Sequence, residues 1–472
     1  MFDPVIAPSG TLLGLLQRGR GDGTLHALTA PRAEALAALN HCVLSDPRHD
    51  WQVENRSLYY ARLFLDLNGE LDEIETHLFD VEDVFDTEES RTGLTLAVLG
   101  HLASYGRRDA LALLRRYAAT GANWAWALDE LALRDDDAGL RALAAPVLAR
   151  FATDAEGEAE LAAAVRDAFE PRPWRLWAED PRESVATRVR AAQEAGCFDR
   201  WQRQMRPTGP RPGWSVRAVF EWAQQGVDRG AALHVPAARC LTAVAGPEDR
   251  PEIVQAAKDG TEGARCTALR YLADSNDPDA LDLIEAAVAA GPPPVVEAAV
   301  DAFERMRSVA AVDRARGWAR RPDPLGASAG RMLACRGGAQ DSDLVLAALR
   351  EAVRGEGPDA KTLWTLVDGA GRLGIACAAP VLRHIYRETA SSHLRGRTAR
   401  ALAATDPSFR SGFAVECLWD CEETTREIAA RHAETGDNRV VERLRRLAAD
   451  PAEEAEVQTA VRSRIGPDAP TG

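Results

Sequence analysis

The sequence predicts an all-α protein, an α-solenoid of stacked antiparallel helix hairpins in two arrays joined by a break rich in proline, arginine and tryptophan. Three observations carry this. Strand signals are nearly absent, since aromatic residues make up 6% of the chain and alternating β-branched runs are missing. Apolar residues recur instead at helical spacing, in short segments punctuated by glycine and proline. One helix pattern also returns at multiples of a fixed interval, the mark of a repeat architecture. At 472 residues the chain is too long for one compact core.

The clearest hairpin is DPDALDLIEAAVAAGPPPVVEAAVDAFERM, Asp277 to Met306. Leu281, Ile284 and Val288 fall at helical spacing in its first half, and Val296, Val300, Phe303 and Met306 in its second. Gly291 ends the first helix, and proline opens the second without loss of a hydrogen bond. The opening pattern DPDALDLI returns as DSDLVLAA at Asp341 and DNRVVERL at Asp437, with RRDALALL at Arg107 close to it. The intervals of 64 and 96 residues are two and three times 32. An Arg-x-x-Ala precedes each aspartate: Arg265 with Ala268, Arg331 with Ala334, and Arg426 with Ala429.

On these residues the chain resembles the HEAT-repeat family of α-solenoids, in the alanine-rich form common in bacteria, over about 260–465 and more weakly over 30–170. The resemblance implies that arginine and aspartate form a ladder between successive repeats. Arg265, Arg331, Arg426, Asp277, Asp341 and Asp437 are therefore expected to be structural. Each hairpin has too little apolar face to stand alone, so stacking supplies the core.

Charge divides the chain further. The net charge is -15, with 72 acidic and 57 basic residues, of which only Lys258 and Lys361 are lysines. Residues 1–170 carry 15 arginines and 29 acids, whereas 171–217 carry 10 arginines, 5 acids and four of the eleven tryptophans. We read 1–29 as an N-terminal cap, 30–170 as an acidic array and 171–217 as a basic connector. A C-terminal array then fills 218–465, and 466–472 is a tail expected to be disordered. No window approaches a membrane span of about 18 apolar residues, and the opening residues lack a secretory pattern. The eight cysteines are scattered without a C-x-x-C. Together these predict a cytoplasmic protein with reduced thiols.

No motif supplies catalysis or a metal. GASAG at 326–330 matches a nucleophile elbow, but a turn precedes it where a strand is required. GAGRLG at 369–374 matches a dinucleotide loop, but no second strand with an acidic end follows. The nine histidines show no ligand spacing, and a structural zinc needs four ligands. The run from Asp66 to Ser90 holds eleven carboxylates without arginine or lysine. It lacks the central glycine of a calcium loop, so the region 66–89 is read as a docking face for a basic partner.

The basic band has two readings. Trp174, Arg175, Trp177, Trp201, Arg203, Arg206, Arg211 and Trp214 offer guanidinium groups and flat rings to an anionic partner. The leading reading makes the tryptophans wedges between two arrays. Fold, acidity and the lack of a convergent polar constellation predict a non-enzymatic scaffold or adaptor for a protein or peptide, with no cofactor. The alternative is a nucleic-acid-directed protein. Bacterial alkylpurine DNA glycosylases are HEAT-like solenoids that use tryptophan, aspartate and arginine, and Trp174, Trp177, Asp180 and Arg182 are of those types. Net acidity opposes duplex binding, which relies on neutralising phosphates.

Overall fold

The structure, a computed structural model, describes residues 6–48, 51–81, 89–203 and 213–465, with backbone alone at 89–90 and 196–203. Among the described residues every regular element is a helix: twenty-eight α-helices and three short 3-10 turns, with no strand. The expected tail 466–472 and the middle of the break, 204–212, lie outside them.

Local chemistry sets the helix starts. Asp136, Asp154, Ser215, Ser308, Asp323 and Asp437 each occupy an N-cap, where the side chain accepts a backbone N–H of the first turn. The hairpin read from Asp277 to Met306 forms helices Ala280–Ala290 and Pro293–Arg305. Its buried face differs from the one read from the large aliphatics. Val296 and Val300 are only half-buried, while Val295, Ala298, Ala299 and Ala302 join Phe303 in the interior. Alanine lets two helices approach closely, so it serves here as a core residue and not as filler.

The described residues fall into two compact units. The first takes those within 1–206, 387–399 and 408–472, the second those within 207–386 and 400–407. In the second unit alternate helices stack in a row: Glu262–Asp274 on Pro293–Arg305, then Pro324–Arg336, then Leu363–Arg372. In the first unit Ser57–Asp66 packs on Glu89–Ser104, which packs on Trp124–Arg134. This is the stacking of an α-solenoid.

The first unit also joins the two ends of the chain. Helix Gly21–Thr29 packs on Phe413–Cys417. Gly19 has φ +67°, which glycine adopts freely. Its carbonyl accepts the Cys421 N–H at 2.9 Å, and an added Cβ would lie 2.8 Å from that of Cys421. Buried polar groups flank this seam on both sides. The Arg395 Nε donates to Asp420 at 2.7 Å with both side chains at 0% exposure. Tyr59 and Tyr60 donate their hydroxyls to the carbonyls of Arg20 and Leu16.

Both glycine motifs prove to be packing devices. Ser328 of GASAG is buried and donates to Glu304 at 2.9 Å, and a Cβ at Gly330 would lie 2.5 Å from that of Ala348. In GAGRLG, a Cβ at Gly369 would meet the Ala334 Cα at 2.6 Å, and one at Gly371 the Ala401 Cα at 2.9 Å. Gly374 turns the chain at φ +63°. Gly369→Val is therefore expected to destabilise the second unit by about 1–3 kcal/mol through overpacking. Gly317→Ala, in helix Val309–Trp318 with nothing within 4 Å of its Cβ, should stabilise it by up to about 1 kcal/mol. Hydrogen exchange of the second unit checks both. Equal stability of the two variants would remove the packing role.

Candidate interaction surface

Helix Arg172–Ala178 carries the first part of the basic band. Trp174 and Trp177 are buried, at 3% and 0% exposure. They meet edge to face at 4.9 Å, and Trp124 packs on Trp174 at 6.4 Å. The Trp177 indole N–H donates to the Leu140 carbonyl at 2.8 Å. Arg175 is exposed on the same helix. Trp214 is half-buried against Trp222, with ring centres 5.1 Å apart. The side chains of Trp201 and Arg203, and all of Arg206 and Arg211, lie outside the described residues. Asp180 accepts from Arg182 at 2.8 and 2.9 Å, and this hydrogen bonding holds its carboxyl at about 2.

The arginines missed by sequence reasoning act as staples. Arg172 donates to the carbonyls of Ala132 and Asp135, and Arg188 to those of Leu148, Phe151 and Ala152. Arg372 does the same at Ala334 and Gly337, and Arg464 at Ala430 and Ala433. Each guanidinium satisfies the open carbonyls at the end of a helix some 30–40 residues earlier. A lone arginine carries no local signal for a partner so distant.

The six ladder residues do not pair as the resemblance implies. Asp277 accepts two hydrogen bonds from Arg250, at 2.6 and 2.8 Å. Asp341 accepts two from Arg316, at 2.8 and 3.1 Å. In both cases the arginine sits on the first helix of the hairpin that the aspartate closes. Arg115 with Asp135 and Arg383 with Asp406 repeat the arrangement. Arg331 instead holds Glu304, and Arg426 holds Glu453. Arg265 has no hydrogen-bond or ion-pair partner among the described residues, and its Nε is buried. Asp437 caps its helix and bonds the exposed Arg439.

Open grooves lie between neighbouring helices. In the first unit a groove of about 780 Å³ is lined by Glu70, Asp72, Glu75 and Asp109 together with Arg107 and Arg116. Three of its four carboxylates are matched: Glu70 by Arg32, Glu75 by Arg116 and Asp109 by Arg107. Glu70, Asp72 and Glu75 belong to the acidic region 66–89, of which residues 82–88 lie outside the described residues. In the second unit a groove of about 670 Å³ runs between helices Val216–Asp228 and Arg250–Asp259. Phe220, Ala256 and Ala264 supply its apolar lining, and Glu221, Asp228, Glu252 and Asp259 its rim. Among the described residues one arginine lines it: Arg217, which makes an exposed pair with Glu221 at 3.1 Å.

A smaller cavity of about 430 Å³ holds His234, Cys266, Glu297 and Asp301. Burial pushes the Cys266 thiol up to about 11, which leaves little thiolate at neutral pH for nucleophilic attack. No group of three His, Cys, Asp or Glu placed to hold a metal occurs among the described residues. None of their helices is long and apolar enough to cross a membrane.

Comparison with protein-family models, with curated proteins and with solved structures returned no match.

Proposed function

We propose that the protein is a non-enzymatic scaffold or adaptor of HEAT-like repeats that binds a protein or peptide on its helix surface. The observation that carries this reading is the open groove of the second unit, whose apolar lining and carboxylate rim suit a peptide better than a small substrate. Polar side chains elsewhere are largely committed to the repeat itself, as the arginine staples and the aspartates that close hairpins illustrate. The glycosylase-like alternative draws on Trp174, Trp177 and Asp180. Both rings lie in the interior and the Asp180 carboxylate is occupied by Arg182, which leaves none of the three open to a flipped base.

The test is capture of partners by the tagged full-length protein from its host at low and moderate salt, with protein and nucleic acid both identified. A specific protein retained after nuclease treatment is expected. Nucleic acid alone, released steeply by salt, would replace this reading with the alternative.

A further inference from the structure

Both walls of the second-unit groove carry the same polar pattern. Glu221, Gln224 and Asp228 line one helix, and Glu252, Gln255 and Asp259 line the other. The pattern Glu-x-x-Gln-x-x-x-Asp thus recurs 31 residues later, one repeat along. On each wall the two carboxylates stand seven residues apart, about 10 Å along the helix axis. Gln224 donates to Asp228 at 2.9 Å and Gln255 to Asp259 at 2.7 Å. Each amide orients its carboxylate and leaves the charge uncompensated.

Elsewhere the repeat neutralises such acids. On the next first helix, Ala280–Ala290, Asp282 and Glu285 are met by Arg314, and Glu285 also by Arg321. No arginine or lysine forms an ion pair with Asp228, Glu252 or Asp259 among the described residues. Three unmatched carboxylates therefore surround an apolar lining of Phe220, Ala256 and Ala264. A cationic occupant gains from the rim, and its hydrocarbon stems gain from the lining, as long arginine and lysine side chains do on apolar surfaces.

We propose that this groove binds a basic peptide segment of a partner protein, with arginine or lysine side chains spaced about 10 Å apart to meet the paired carboxylates. The proposal rests on the scaffold reading and names the site and the chemistry of its partner.

The experiment uses the full-length protein and a labelled helical peptide of alanine and leucine with arginines at seven-residue spacing. A glutamate version serves as its counterpart. Fluorescence anisotropy should show saturable binding of the arginine peptide that weakens with salt, and none of the glutamate peptide. Asp228→Asn, Glu252→Gln and Asp259→Asn together should raise Kd about tenfold or more, from three exposed charge contacts. Asp72→Asn with Glu73→Gln, an acid loss in the first unit, should leave Kd unchanged. Asp228→Lys, Glu252→Lys and Asp259→Lys together should transfer binding to the glutamate peptide, a gain that a misfolded variant cannot give. Absent binding, or equal weakening by the first-unit variant, would overturn the groove assignment. So would a native partner that the neutralised groove still captures, although that result would leave the scaffold reading standing. Failure of the intact protein to capture any protein would sink both.

Discussion

Asp420→Ala is expected to lower the stability of the first unit by about 3–5 kcal/mol, the range found when one partner of a buried ion pair is removed. The carboxylate accepts from Arg395 at 2.7 and 3.0 Å and from the Glu422 backbone N–H at 2.9 Å. Neither side chain of the pair reaches solvent. Without Asp420 the guanidinium would lose its buried ion-pair partner and keep weaker contacts, among them the Gly19 carbonyl and the Cys421 sulfur, each 3.4 Å from its Nη2. The loss should appear at the seam between the chain's ends, as faster hydrogen exchange in helices Gly21–Thr29 and Phe413–Cys417. Replacing both partners by apolar residues, Arg395→Met with Asp420→Leu, should recover most of the stability, because no uncompensated charge stays buried. If the single and double variants were equally unstable, packing rather than charge would dominate the site.

The seam marks the limit of what the sequence made legible. Helix hairpins, their proline and glycine punctuation and the aspartates at 277 and 341 could all be read, because period and cap chemistry act within a few residues. The partners of those aspartates could not be. Arg250 and Arg316 precede them by 27 and 25 residues, and such an interval leaves no local mark in an arginine-rich chain. The association of residues 408–465 with the N-terminal helices is tertiary, so a repeat pattern running to 465 gave no sign of it.

The basic band drew attention by composition, yet Trp174 and Trp177 belong to the interior, as large rings commonly do. The paired Glu-x-x-Gln-x-x-x-Asp walls stood in the sequence in full. An acidic face is unremarkable in an acidic protein until three of its carboxylates, Asp228, Glu252 and Asp259, are seen to have no ion pair among the described residues. The acidic run at 66–89 had the opposite fate. It looked unmatched in one dimension, but Arg32 and Arg116 reach Glu70 and Glu75 from other helices.

Glu453→Ala should also cost the first unit about 3–5 kcal/mol, and pH separates its role from that of a neutral contact. Glu453 is fully buried and accepts from Arg426 at 2.6 and 3.0 Å and from Arg62 at 3.2 Å. Arg62 also reaches Asp450 at 2.7 Å, and the Tyr105 hydroxyl donates to that carboxylate. Burial pushes both carboxyls up, but the charge of Arg426 at Glu453, and of Arg62 at Asp450, more than offsets it. Both therefore lie below their ordinary values. A carboxyl depressed on folding stabilises the protein above its unfolded pKa of about 4 and loses that contribution as pH falls through the folded value. Glu416, in the same unit, has the opposite sign. Burial and the charge of Asp22 push it up to about 7 from 4.5, so it favours the folded state at mildly acid pH and loses that contribution as pH rises towards 7. Together the contributions of Glu453, Asp450 and Glu416 should accordingly be greatest at mildly acid pH. Glu453→Gln should lower the whole curve and flatten its acid limb, whereas Glu416→Gln should flatten only the slope between about pH 5 and 7. Hydrogen exchange of helix Ser57–Asp66 and helix Asn438–Ala449 from about pH 3 to 7 reads both. An acid limb unchanged in Glu453→Gln would mean that the Arg62, Arg426 and Glu453 cluster does not hold the two ends of the chain together.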